Sequence, residues 1–467
     1  MKKFLSAPFL LGVGTRIGSQ IIAFVLVMIA SRYLGLTAFG TYALAWAAAV
    51  VANTFVFTGL YQAVLRSDDA DREMDQLFYL MLGVGLVGST IIAGAGLLAP
   101  GAVGAALLAI APIPTLQSLP AWNEARLVQS GRVRSASAYT LAAEASALGV
   151  ALVGFRHGMG IGSLIAARYG AVLVAAVLTT ALSPRLPRLR RVPGTARRSL
   201  RTALPLWATA SVGMFSNYGA DLMLGIFLNP AAVGAYRGGA RIAMTASDVV
   251  VQPLMMLTWA RFSRLERNGE LSRLGAAWHE TISFSVALIW PVMASVALLS
   301  RDLVLTLFNE TWLAAAGVVS ILAIARSFQS FSVLLEPTMI CSGRPGVQLR
   351  IRAIGAAILL VALLVLGRHG GEMAAIAQLL TGLCVALLAL HAMLGQLGLG
   401  PHAALAAMRP GAGLTLACIA VIIATRELRA DWPGPQGLGL TVALLALVWV
   451  GIMALFLRKG ILVLPAA

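Results

Sequence analysis

The chain has 467 residues, 59% of them hydrophobic and 11% charged, with 35 Lys and Arg against 18 Asp and Glu. Its polar residues are gathered into short stretches between long apolar ones, which excludes a soluble globular protein. A formal charge of +17 is what a membrane protein acquires by keeping Arg and Lys on one side, so it argues for no nucleic-acid partner.

Fourteen apolar stretches could span a bilayer, most of about 17–25 residues. Met1-Lys2-Lys3 ahead of the first imitates a signal peptide. That run carries Arg16, outlasts a signal's apolar core and ends without an Ala-x-Ala site, so it reads as a retained helix. Residues 9–32, 40–65, 77–98, 102–122, 136–155 and 161–182 form a first set of six. A second set follows at 204–228, 233–257, 280–300, 313–338, 352–367 and 373–396, with a weaker pair at 411–425 and 438–457. The expected fold is an all-α polytopic membrane protein of about 14 transmembrane helices, made of two six-helix repeats and a C-terminal helix pair. Its expected divisions are an N-lobe (1–182), a linker (183–203), a C-lobe (204–397) and the final pair (398–467). With the N-terminus inside, most Lys and Arg fall on the cytoplasmic side, which places both termini in the cytoplasm.

The linker holds Arg185, Arg188, Arg190, Arg191, Arg197, Arg198 and Arg201 with no acid. It anchors topology on an anionic inner-leaflet surface or, more specifically, gathers an anionic lipid head group. The loop after the second span is acidic (Asp68, Asp69, Asp71, Glu73, Asp75) and reads as solvated. Trp122, Trp207, Trp259, Trp278, Trp312 and Trp432 fall near segment ends, where interfacial belts are expected. Pro112, Pro114 and Pro120 should break the fourth span, and Pro337 the tenth.

The chain also repeats itself. Leu34-x-x-x-Ala38-Phe39-Gly40-x-Tyr42 returns 194 residues on as Leu228-x-x-x-Ala232-Val233-Gly234-x-Tyr236. Ser130-Gly131-Arg132 and Arg156-His157-Gly158 return as Ser342-Gly343-Arg344 and Arg368-His369-Gly370, both displaced by 212. Two halves of the same sense within one membrane chain point to a transporter with its substrate site where the halves meet.

Ionisable residues fall inside the spans: Arg16, Arg168, Arg237, Arg241, Arg326, Glu144, Asp221, Asp248 and Glu336. Each costs about 2.5–3.5 kcal/mol facing lipid at mid-bilayer, so each must face a cavity or a partner. Arg237, Arg241 and Asp248 share one helical stripe, as do Asn217 with Asp221, Arg326 with Gln329, and Arg16 with Gln20; Asn53 adds polarity to the second span. Arg168 lies near a span end, where snorkelling would also satisfy it. Glu144, Asp221, Asp248 and Glu336 read either as ion-pair partners or as H+ or Na+ coupling sites. Cys341, Cys384 and Cys418 lack metal-ligand spacing, the five His are scattered, and no phosphate loop is present. No metal or cofactor is expected, and any driving force must be an ion gradient, the membrane potential or the substrate's own gradient.

Arg32-Tyr33-Leu34-Gly35 through Phe39-Gly40-x-Tyr42-Ala43-Leu44 resembles the opening of polysaccharide biosynthesis membrane proteins. These are the Wzx-type lipid-linked oligosaccharide flippases of the multidrug/oligosaccharidyl-lipid/polysaccharide exporter superfamily. Val233-Gly234-x-Tyr236 with Pro253 resembles the second-half counterpart. The resemblance implies two lobes in a V, alternating access, a bacterial inner-membrane location, and no enzymatic activity. It implies a substrate of polyprenyl-diphosphate-linked glycan, moved for O-antigen, capsule or exopolysaccharide assembly alongside glycosyltransferases and a polymerase. By position, Arg16, Arg237, Arg241 and Arg326 become candidates to hold the diphosphate, since the guanidinium fork grips phosphate bidentately. Gln20, Asn53, Asn217 and Gln329 would line the same cavity. Two alternatives stand beside it: a cation-coupled multidrug exporter of the same superfamily, and a membrane-embedded glycosyltransferase or polymerase, which the short external loops disfavour.

Overall fold

The computed structural model describes residues 7–65, 72–185, 187–189, 194–427, 432 and 434–463, and leaves aside the side chains of residues 7–13, 16, 17, 72, 133, 137 and 216. Both termini, Asp68, Asp69, Asp71, Arg190 and Arg191 lie outside the described residues, as does the side chain of Arg16. Among the described residues every regular element is helical. Twelve helical segments are long and apolar enough to cross a membrane. The first and seventh expected stretches are also helical, within α1 (Ala7–Tyr33) and α10 (Thr195–Phe227). All fourteen apolar stretches are thus helical, twelve of them in segments that meet the length and hydropathy of a span, and the chain is a multi-pass membrane protein.

Contacts gather into two compact units, residues 2–237 and 238–467. The first holds α1, α2 (Leu36–Phe57), α3 (Leu60–Leu65), α4 (Arg72–Leu98), α5 (Gly101–Ile110), α6 (Ile113–Leu116), α7 (Ser118–Gln129), α8 (Val133–Arg156), α9 (Ile161–Leu182), α10 and the opening turns of α11 (Pro230–Arg267). Within it α8 packs on α1 and α9, and α2 packs on α4, α5 and α10. The fourth span is cut into α5, α6 and α7, as its prolines demand: Pro112 and Pro114 offer no N–H to the turn before them.

The first repeated block forms a contact with its own copy. A Cβ on Gly40, in the first turns of α2, would lie 1.6 Å from the Pro230 carbonyl oxygen and 2.7 Å from the Gly234 nitrogen. A Cβ on Gly234, in the first turns of α11, would lie 2.1 Å from the Leu36 carbonyl oxygen. Leu36 and Pro230 are themselves equivalent positions, so the contact is isologous, each side repeating the other. The following tyrosines, Tyr42 and Tyr236, are both buried.

The second block builds the same helix end twice. Gly131 and Gly343 adopt φ of 76° and 72°. Arg132 N–H donates to Leu127 O and Gly131 N–H to Val128 O; Arg344 N–H donates to Met339 O and Gly343 N–H to Ile340 O. This double bond pattern is a Schellman cap, which only glycine fits without strain. The third block diverges: α8 runs through Arg156, whereas the later copy forms a 3-10 turn, Gly367–His369, with Gly370 at φ 125°.

The second unit contains the rest of α11 and α12 (Leu274–Leu298), α13 (Ser300–Leu307), α14 (Ala315–Ser327), α15 (Gln329–Cys341), α16 (Pro345–Leu366), α17 (Gly371–Leu397), α18 (Pro401–Ala424) and α19 (Pro435–Arg458). Here α12 packs on α14, α15 and α18, α17 packs on α14 and α16, and α19 packs on α18. The tenth span breaks at Phe328 rather than at Pro337, which is carried inside α15. Ser327 Oγ donates to Ile324 O and Ser330 Oγ to Ser327 O there, so hydroxyls take up helix carbonyls at the break. Gly238 and Gly239 let α11 approach the segment around α14: added Cβ atoms would meet Trp312 Cζ3 at 2.5 Å and Ala315 O at 2.9 Å.

The aromatic belt is smaller than the sequence suggests. Trp122, Trp278 and Trp312 are wholly buried. Trp122 Nε1 donates to Met74 O at 2.8 Å and Trp278 Nε1 meets Met393 Sδ at 3.3 Å. Proximity to a segment end does not say which way a ring faces, and these three face the bundle. Trp432 is exposed, as a belt residue would be.

Candidate functional site

Several of the embedded charges form ion pairs between neighbouring helices. In the first unit, Arg237 on α11 points back at α10. Its Nη1 donates to Asp221 Oδ2 at 3.0 Å and lies 3.5 Å from the Asn217 carbonyl oxygen, while the guanidinium sits 4.3 Å from the Tyr218 ring centroid. Asp221 is fully buried and its second oxygen, Oδ1, has no hydrogen bond. Asn217 and Asp221 share a face of α10, as their spacing predicts; the partner of that face is Arg237.

A second cation in this unit, Arg168 on α9, is held from three sides. Nε donates to Tyr42 Oη at 2.8 Å, Nη1 lies 3.8 Å from Glu144 Oε2 on α8, and the guanidinium lies 4.3 Å from the Trp46 ring centroid. Its side chain is 16% exposed, so it does not snorkel toward a surface but packs inside its own unit. Tyr42, Trp46 and Tyr218 were invisible as site residues to charge-based reading. Tyr42 alone carried a signal, since it belongs to the repeated block.

A third acidic residue went unread because the sequence-drawn span ended at Trp122. Glu124 on α7 accepts hydrogen bonds from Tyr139 Oη at 2.5 Å and Tyr61 Oη at 3.4 Å. Beside it, Asn123 is fully buried; its Nδ2 donates to Thr180 Oγ1 at 3.1 Å, and its Oδ1 has no partner. Asn53 on α2 is also buried, with Oδ1 unsatisfied, and Gln20 on α1 is half-buried.

In the second unit, Arg241 and Asp248 on α11 and Arg326 on α14 are half-buried. Ser247 Oγ donates to Gln329 Oε1 at 2.7 Å, joining α11 to the start of α15 beside the Phe328 break. Glu336 pairs with Arg352 of α16 at 2.5 Å on a more exposed face. Among the described residues no group of three or more His, Cys, Asp or Glu could hold a metal ion.

Both units therefore carry guanidiniums on helices that cross a membrane, several of them balanced by carboxylates of adjacent helices. The family of polysaccharide biosynthesis proteins matches residues 29–317. The chain belongs to that family. No curated protein matches it. Among solved structures, it is similar to the lipid II flippase MurJ in an inward closed conformation, with a TM-score of 0.76 at 11% identity, over 97% of this chain and 100% of that one. It is also similar to a multidrug resistance MATE family transporter of the MOP superfamily in an inward-facing conformation, with a TM-score of 0.67 at 13% identity, over 81% of this chain and 94% of that one. At such identities the likeness speaks for the fold alone, an all-helical membrane bundle.

Proposed function

We propose that the chain is a flippase that moves polyprenyl-diphosphate-linked oligosaccharide repeat units across the bacterial inner membrane for surface polysaccharide assembly. The observation that carries this reading is membership of the polysaccharide biosynthesis family in a chain whose fold matches a lipid II flippase along 97% of its length. A lipid-linked sugar is amphipathic and anionic. Moving it requires a protected polar path and cations that can be offered to a diphosphate, with no covalent chemistry. Arg16, Arg237, Arg241 and Arg326 are the proposed diphosphate ligands, and Gln20, Asn53, Asn217 and Gln329 the proposed polar lining. In this reading transport is driven by an H+ or Na+ gradient, by the membrane potential or by the substrate's own gradient, and both termini stay cytoplasmic. Glycosyltransferases that supply the repeat unit and a polymerase that consumes it are the proposed partners.

The decisive experiment is a clean deletion strain, assayed for surface polysaccharide and for the lipid-linked repeat unit in each leaflet. Loss of polymer with the intermediate retained on the cytoplasmic leaflet is the expected result. Normal polymer with raised drug sensitivity would instead establish the second reading, a cation-coupled multidrug exporter, which the similarity to a MATE transporter favours.

A further inference from the structure

The first unit contains a groove of about 800 Å³ between α2, α4 and α10 that no part of the proposed transport path uses. Along α4 it runs from Tyr79 to Ala95. At 1.5 Å per residue that is about 24 Å of helix, against about 15 Å for one leaflet of a 30 Å hydrocarbon core. Val87 and Ile91, two of its lining residues, are 60% and 66% exposed. The groove is thus open along its length.

Its surface is carbon almost throughout. The two polar groups in its lining both turn away to bond backbone: Trp207 Nε1 donates to Phe55 O and Thr58 O at 3.0 Å, and Tyr79 Oη lies 3.5 Å from Pro187 O. That last contact ties one end of the groove to the Arg-rich linker. Arg188, the next residue, is exposed, and so are Arg197 and Arg201 at the start of α10. Among the described residues none of these three has an ion-pair partner, unlike Arg185, paired with Asp75, and Arg198, paired with Glu73. The Tyr79 end of an apolar channel longer than one leaflet therefore meets the linker at Pro187, one residue before the exposed Arg188.

We infer that this groove binds the chain of a polyprenyl phosphate lipid, with the phosphate at Arg188. A phospholipid acyl chain is confined to its own leaflet and would fill only part of the groove; a polyprenyl chain can follow it past the midplane. The inference rests on the proposed function for its choice of lipid, and it gives the linker a task besides topology. It holds the carrier's tail on the first unit, apart from whatever grips the diphosphate.

Gly83 provides a clean test. It lines the groove, and a Cβ added there meets nothing within 4 Å, so a larger side chain fills the groove without displacing protein atoms. Purified full-length chain is titrated with undecaprenyl phosphate, and adducts are counted by native mass spectrometry with and without phosphatidylglycerol as competitor. The expected result is a one-to-one adduct that phosphatidylglycerol does not displace. It should weaken more than tenfold in Gly83→Leu and in Val87→Trp, and about fivefold in Arg188→Ala. Gly149→Leu, on α8, also with open space around its Cβ and on a helix that does not line the groove, should bind as the unaltered chain does. Undiminished binding in both filled variants would overturn the inference, and equal competition by phosphatidylglycerol would give the groove to a bilayer lipid. Either result leaves the deletion-strain assay unaffected. Conversely, normal polymer in the deletion strain would fell the flippase reading while the binding titration still reports on the groove.

Discussion

Gly40 and Gly234, equivalent residues of the two repeats, meet backbone to backbone, with room for no side chain on either. The contact predicts paired mutational behaviour. Gly40→Ala and Gly234→Ala should each destabilise the detergent-solubilised protein by about 1–3 kcal/mol, the usual cost of forcing a methyl group into packed structure. Gly149→Ala, whose Cβ meets nothing within 4 Å, should leave the melting temperature unchanged. Thermal unfolding of the three variants checks this, and a stable Gly40→Ala would contradict the contact.

The Asp221–Arg237 pair should behave as a unit. Asp221→Ala leaves a guanidinium in a mostly buried place with no counter-charge, which costs about 3–5 kcal/mol when a buried pair is broken from one side. The double variant Asp221→Leu with Arg237→Met should recover most of that loss. Folded yield measures the structural effect. Transport by the double variant then tells whether Arg237 also serves the substrate: a stable but inactive protein would show that it does.

Arg168 is predicted to resist conservative exchange. Lysine cannot bond Tyr42, face Glu144 and stack on Trp46 at once, so Arg168→Lys should lose about 1–2 kcal/mol despite keeping its charge. If Arg168→Lys melts with the unaltered protein, the three contacts do not act together.

Arg241→Ala should reduce transport of the lipid-linked repeat unit by roughly ten- to a hundredfold, the worth of about one charge-assisted hydrogen bond to phosphate. Arg301→Ala, at an exposed position, should leave transport unchanged. Complementation of the deletion strain at matched expression compares the two. Equal activity would remove Arg241 from the proposed diphosphate ligands.

The spans were legible because hydropathy is a property of consecutive residues. The Ser-Gly-Arg blocks stood out only as a repeat, although a left-handed residue demands glycine and that could have marked them as helix caps. The shared faces of Asn217 with Asp221 and of Arg237 with Arg241 and Asp248 followed from helical period. What periodicity could not supply was the partner across the gap. Glu144 and Arg168 lie on successive helices 24 residues apart, and nothing local in either says that they meet. The position of the tenth span's break was misplaced for a related reason. Pro337 announces itself in sequence, whereas Ser327 and Ser330 act only through the carbonyls that their hydroxyls find. Indole rings near span ends carry the same ambiguity, and Trp122, Trp278 and Trp312 resolved it inward.

The glycine contact bears on where such a chain comes from. A surface that is its own complement needs only one sequence to make both sides. A half-length protein carrying the Leu36–Tyr42 block could close upon a second copy of itself through this same touch of backbones. Joining two such copies end to end would then ask for a linker and nothing more at this contact, because the pair would already hold its geometry. Afterwards each half is free to drift, as the Arg-His-Gly turns have done, provided the two glycines stay.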